Sequence, residues 1–316
     1  MRNECVLLKE KGIGVAMLSV DDKAKVNCGH KVALDAGVRA RGGAGSGSLA
    51  VGDEQYRAAD HDFNTDAKMT PKGCLAIDIP ESVTEKWSQG QLFFTVGDST
   101  LGSSEPVSHG IQQMEVIRMV YGDPSDDLDN KISVLVVESD GGADHNNEHL
   151  KVVVAHLIVF MELKLALLIA MRPAAGDSKF NPIERAFASA NLALTNCAFS
   201  RDSMPEELEN RLAQMKGGGM SSVRQLAAED SEIGRRTEAA WEQAMKRPLT
   251  ELANQLDKTM WTGRNAKRIV PPEKGAAGAL YKKYQQVLGL QDVPLEKLTK
   301  LVAMKSKTFK VSLSNL

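Results

Sequence analysis

The chain has 316 residues, 42% of them hydrophobic, a net charge of −2 and four scattered cysteines. Such a length and apolar fraction suit a globular protein with one catalytic-sized domain and a smaller appendage. Cys5, Cys28, Cys74 and Cys197 form no CxxC pair, which argues against a zinc knuckle or a disulfide framework and makes a reducing compartment the expectation.

The opening MRNECVLLKEKG has neither an apolar signal core nor a small-residue cleavage site, so no secretory leader is expected. GVAMLSVDD (14–22) is an apolar run ending in paired carboxylates, which predicts a buried central strand. AKVNCGHKVAL follows as a strand able to pair with it. RARGGAGSGSLAVGDE (39–54) fits neither GxGxxG nor GxxxxGK[ST], so a flexible loop is expected there and not a phosphate cradle. GCLAIDIP (73–80) and QLFFTVGD (91–98) read as strands. SHGIQQMEVIRMVYGD (108–123) reads as a helix closed by Gly122 and Pro124. KISVLVVESD (131–140) is the strongest strand, DHNNEHLKVVVAHLIVFMELK a helix and LALLIAMRP (165–173) a buried strand. NPIERAFASANLALTN (181–196) is a helix opened by Asn181 and Pro182.

The most apolar stretch, 149–171, is interrupted by Lys151, His156, Glu162 and Lys164, so no membrane segment is expected. Beyond residue 200 helical spacing dominates, at 205–216, 221–262, 280–289 and 295–307, and reads as a separate module. From Lys258 onward there are 12 Lys+Arg against 3 Asp+Glu, a weak electrostatic footprint for a nucleic-acid backbone. A solvated helical or disordered tail is the plain alternative. The expected organisation is an α/β domain over 1–200, with a Gly-rich insertion around 37–70, and a helical, basic C-terminal region over 201–316.

Three acids occupy comparable places in this layout. Asp21 ends the first strand, Asp140 ends the strand at 131–140, and Glu184 lies in the first turn of the helix at 181–196. Two hard divalent cations about 3.5–4 Å apart require such a cluster of oxygen ligands. Taken singly, each acid is more readily a merely solvated carboxylate.

The surrounding blocks resemble the DDE transposases, including the mariner-like group. SVDDKAKV supplies an aspartate after an apolar strand with a second acid behind it, SDGGADHN an aspartate followed by a histidine, and FNPIERAF the asparagine-proline-x-glutamate step. The DDKAKV, DGGxDH and NPxER blocks together are also similar to those of transposon-derived animal proteins. The resemblance covers roughly 13–200 and implies an RNase H-like mixed sheet flanked by helices, with a C-terminal helical appendage. It implies a two-metal Mg²⁺ or Mn²⁺ site on Asp21, Asp140 and Glu184, DNA as partner, a homo-oligomer and a nuclear location, for which the sequence has no clear targeting signal. Strand alternation sends Asp21 and Asp22 to opposite faces, so only one is expected to ligate the metals, and family position implies Asp21. Asp144, His145 and Asn146 fall where groups that orient ligands or touch phosphate are expected, and Asp78 is a further outer-ligand candidate.

The chain departs from the family pattern in three ways. There are 118 residues between Asp21 and Asp140 and 43 between Asp140 and Glu184, both longer than a minimal version needs. The first strand begins too early to leave room for an N-terminal helix-turn-helix reader. Either the sequence is a fragment, or the tail or a partner supplies DNA binding.

Two rivals remain open. HNNEH (145–149) has the HxxEH form of inverted zinc peptidases, with His145 and His149 as ligands, Glu148 activating water and Glu229 or Glu232 as the third ligand. A domesticated transposase remnant that binds DNA or protein without cleaving is the non-enzymatic alternative. Trp87, Trp241 and Trp261 could stack on bases, but the helical settings of Trp241 and Trp261 favour packing.

Overall fold

The computed structural model describes residues 2–28, 32–33, 48–51, 54–58, 67–102, 105–122, 132–139, 142, 145–172, 181–195, 197, 199–215, 219–291 and 293–300. Its elements run α1 (Arg2–Glu10), β1 (Val15–Asp22), β2 (Val26–Cys28), β3 (Val32–Ala33), β4 (Ser48–Val51), β5 (Glu54–Ala58), β6 (Ala67–Ile77) and β7 (Gly90–Asp98). Then come α2 (Pro106–Tyr121), β8 (Val134–Ser139), α3 (Leu150–Glu162), β9 (Leu167–Met171) and α4 (Pro182–Ala193). The C-terminal part adds α5 (Glu206–Gln214), α6 (Gly219–Ala227), α7 (Glu232–Leu256), β10 (Met260–Trp261), β11 (Arg264–Asn265), β12 (Lys267–Arg268), α8 (Ala276–Gln285) and a 3₁₀ turn at Leu295–Lys300.

The protein is α/β, with a mixed seven-stranded sheet flanked by helices. The strand order is β12-β7-β6-β1-β8-β9, and β2 pairs with β6. β6 runs antiparallel to both β1 and β7, whereas β8 is parallel to β1 and to β9. β1 is therefore central, as its unbroken apolar run predicts, and is covered on both faces.

Alternation along β1 divides the core. Val15 and Met17 pack with Ile183, Phe187 and the α7 residues Trp241, Leu252 and Leu256. Ala16, Leu18 and Val20 pack on the other face with Met114, Ile117 and Val159 of α2 and α3. Each large side chain so buried, Met17, Leu18, Phe93 and Phe94 among them, contributes about 1.5–3 kcal/mol.

Several elements differ from the sequence expectation. The segment after Lys25 pairs with β6, not with β1, because β2 runs on in the direction of β1 along the same edge of β6, with Asp22 level with Lys72 and Val26 with Met69. β6 begins at Ala67, six residues earlier than expected; Pro71 lies inside it, and a proline ordinarily argues against a paired strand. Part of the glycine-rich stretch is paired: β4 is antiparallel and β3 parallel to β5 in a small separate sheet. β9 is half-exposed and not buried, as the outer strand beyond β8. Gly122 closes α2 as expected, at φ +82°.

The C-terminal region does not stand apart as a separate module. β12 adds in parallel to the edge of β7, and Ala266 joins the core that α7 shares with β6 and β7. The indole nitrogen of Trp241 donates to Asp98 at the end of β7 (3.0 Å), and Arg224 donates to the carbonyls of Thr100 (2.7 Å) and Ser99 (2.6 Å). Trp261 donates to the Ser88 carbonyl (2.9 Å), so Trp241 and Trp261 have packing roles. Four of the basic residues after Lys258 are engaged as well: Arg264 pairs with Asp78, Arg268 with Asp257, Lys274 with Glu238 and Glu242, and Lys283 with Glu162. That reduces the positive surface left for a polyanion.

Among the described residues no helix is long and apolar enough to cross a membrane.

Candidate functional site

β1 and β8 end side by side, with Val20 level with Ser139 in parallel register. Asp140 and Asp144 lie outside the described residues. Asp21 and Asp22 close β1 and, one residue apart, serve opposite faces of the sheet.

On the α4 face lie Ser19, Asp21 and Glu138. Ser19 is fully buried, Asp21 is 7% exposed, and Glu138 is level with Ser19 on β8. Ser19 organises the start of α4. Its hydroxyl donates to the Asn181 side-chain oxygen and accepts the Ile183 amide (3.1 Å). Asn181 was expected to cap the helix with its own side chain. It occupies the cap position with extended backbone, but its side chain makes no cap bond, since Ser19 accepts the amide hydrogen a capping side chain would otherwise take. Pro182 then sets the first helical φ, and Glu184 follows in the first turn, half-buried, its amide donating to the Asn181 carbonyl (3.1 Å). The Asn181 side-chain nitrogen is buried and has no hydrogen-bond partner among the described residues.

The close approach of α4 depends on Gly73, which sits opposite Asp21 on β6. A Cβ there would lie 2.5 Å from the Phe187 ring and 3.1 Å from Ile183. Gly73→Val should therefore cost about 1–3 kcal/mol by overpacking and lift α4 from the strand, read as a lower urea midpoint. An unchanged midpoint would show that α4 does not pack on β6 here.

Burial raises the Glu138 carboxyl above the ordinary carboxylate range, and the Arg2 guanidinium 3.8 Å away opposes that shift. Glu138 was missed in the sequence because it fell inside an apolar run and was read as an ordinary strand residue.

On the other face, Asp22 meets α2 and the turn before α3. Asp22, His109 and His145 each place one ligand-capable atom within 4.8 Å of the others, a group able to hold a metal ion. His109 Nε2 lies 3.9 Å from Asp22 Oδ2, and the two imidazole centroids are 4.6 Å apart. Burial, then the neighbouring His145 and Lys72, holds His109 well below the usual imidazole range. His156 on α3 is held at about 4 by burial and then by His145. Neutral imidazoles are the form that binds metal.

His109 was not singled out in the sequence. The signal was nonetheless there: His109, Gln112 and Gln113 recur at helical spacing with Val116 and Ile117, and all five are buried. Polar residues on the core-facing side of a helix need a reason to be there.

A histidine kept neutral in the folded state but free to protonate when unfolded makes stability depend on pH. The contribution of His156 is complete above about 6.5 and is lost as pH falls toward about 4, so urea midpoints should drop across that window. His156→Gln should make the profile shallower, with the share of His109 remaining; a profile equally steep in the variant would assign the dependence elsewhere.

The peptidase arrangement is absent. Residues 145–149 form turns and α3 starts only at Leu150, so His145 and His149 are not one helical turn apart on a helix; His145 is buried and His149 exposed. The turn is tied to the end of β9: Asn147 donates to the Ala170 carbonyl (3.2 Å), and Arg172 to Glu148 and Asn146 (3.4 Å each). Glu229 and Glu232 pair with Arg211 and Arg235, away from this turn. Asp78 is excluded as an outer ligand because β6 is antiparallel to β1, which places it at the opposite end of the sheet, paired with Arg264 (2.9 Å).

In comparisons with protein-family models, curated proteins and solved structures, no match to the chain was found.

Proposed function

We propose that this protein is a metal-dependent polynucleotidyl transferase or endonuclease of the DDE type on an RNase H-like fold, with Asp21, Asp140 and Glu184 as its acids. The observation that carries the reading is that the adjacent parallel strands β1 and β8 end side by side while α4 starts against Ser19 of β1. β1 ends in Asp21 and Asp22, β8 ends one residue before Asp140, and α4 begins on Ser19 with Glu184 in its first turn. The order β1, β6, β7, α2, β8, α3, β9, α4, with β1 central and parallel to β8, supports the RNase H-like assignment.

The donor set suits Mg²⁺ or Mn²⁺, since carboxylate oxygens are hard ligands. When bound, such ions stabilise the charge that develops on the attacking and leaving oxygens of a phosphodiester. The chain itself holds the carboxylates in place: Asp21 is fixed in a strand paired on both sides, and the first turn of α4 is pinned through Ser19. Fixed positions of this kind lower the barrier by removing the need to order the groups during reaction. On this reading DNA is the partner, a homo-oligomer would bring two DNA ends together, and the nucleus is the working compartment.

Supercoiled plasmid incubated with the full chain and Mn²⁺ or Mg²⁺ should be converted to open circles, and Asp140→Asn should remove that conversion. Nicking undiminished in Asp140→Asn would overturn the assignment. DNA binding without nicking in either ion would support the non-cleaving remnant instead.

A further inference from the structure

The structure assigns a second metal site, for a borderline divalent ion of the Zn²⁺ class, to Asp22, His109 and His145. This group lies on the opposite face of β1 from Ser19 and Asp21. One carboxylate and two imidazoles form a mixed oxygen–nitrogen donor set, which selects zinc or a neighbouring transition metal over the hard ions proposed for the all-carboxylate site. The geometry is nearly closed. Zinc–ligand bonds of about 2.0–2.2 Å place tetrahedral ligand atoms roughly 3.3–3.6 Å from one another. Here they lie within 4.8 Å, with one pair already at 3.9 Å, so modest side-chain rotations bring them onto one ion. His109 and His145 are 6% and 7% exposed, which keeps competing water from most of the imidazole surface. A fourth position remains for water or a further ligand.

The ion would join three elements distant in sequence: the end of β1, the first turn of α2 and the turn that leads into α3. That turn is also anchored to β9 through Asn147. Four residues lie between Asp140 and His145, so a bound ion would fix the chain close to Asp140. This last consequence rests on the proposed nuclease reading; the metal site itself does not. Lys72, level with Asp22 on β6, places a positive charge near His109 that opposes a bound cation.

The test is metal content and metal spectroscopy on the full chain. After incubation with Zn²⁺ and dialysis, the wild-type protein should retain about one zinc per chain, and Co²⁺ should give the visible absorption of a tetrahedral site that added Zn²⁺ bleaches. His109→Gln and His145→Gln should each weaken binding by about tenfold or more. Lys72→Met should strengthen it, a direction that a merely hydrogen-bonded cluster would not show. The Co²⁺ spectrum needs no variant, so it decides the matter even if a substitution unfolds the chain. Wild-type protein that retains no zinc, an octahedral-type Co²⁺ spectrum, or zinc affinity unchanged in both histidine variants would each overturn the site. Zinc retained by a chain that never nicks DNA would sink the nuclease reading and leave this site standing.

Discussion

Asp21→Asn is expected to reduce Mn²⁺-dependent nicking by roughly 10³-fold, because ligand-held metal supplies several kcal/mol of charge stabilisation and each 1.36 kcal/mol is worth about tenfold in rate. The same variant should retain zinc, because Asp21 faces α4 and the proposed zinc ligands Asp22, His109 and His145 occupy the other face. Asp22→Asn should show the complementary defect and lose zinc. Plasmid nicking and zinc content measured on the two variants separate neighbouring acids that the sequence alone could not tell apart. Loss of zinc in Asp21→Asn, with nicking intact, would reverse the assignment of faces.

Trp241→Ala should destabilise the protein by about 3–5 kcal/mol, the usual cost of truncating a large buried aromatic. Trp241 is 1% exposed and packs in the core that also contains Phe94, Phe187 and Leu75. The Arg201 guanidinium lies 5.3 Å from the centre of its ring, and its nitrogen donates to Asp98. Asp98 also accepts the amides of Thr100 (2.8 Å) and Leu101 (2.9 Å), so losing the indole disturbs a carboxylate that organises the turn after β7. Urea unfolding should show one cooperative transition at a lower midpoint. A loss below about 1 kcal/mol, or a separate early transition of the helical region, would mean that α7 is not part of the main core.

What could be read from the sequence was what local pattern determines. The apolar runs of β1, β7 and β8 and the Asn-Pro start of α4 were legible because each signal is complete within a few residues. Alternation also predicted that Asp21 and Asp22 would part. The partners of those strands were not legible. β2 followed β1 in sequence and was taken as its neighbour, yet the chain does not turn back, and β2 continues β1 along the same edge of β6. Helical spacing beyond residue 200 identified helices but could not reveal that β12 extends the sheet at the edge of β7 or that α7 covers its face, because both depend on partners distant in sequence.

The site shows the same division. Glu184 and Asn181 were found through a compact block, but Ser19, which holds them, lies 162 residues from Asn181 and looked like a small residue in a strand. His109 required knowing that the first turns of α2 sit over the end of β1. The HNNEH block misled in the opposite direction: its spacing fits a helical zinc motif, but the chain there is a turn held by Asn146, Asn147 and Arg172, and spacing has chemical meaning only on the element that realises it.

The most direct test of the carboxylate centre is an anomalous difference map from crystals of the full chain grown with Mn²⁺ after zinc loading. The account predicts two manganese peaks about 3.5–4 Å apart against the carboxylates of Asp21, Asp140 and Glu184, on the α4 side of β1. Manganese found only among Asp22, His109 and His145, with none at Asp21 or Glu184, would contradict it.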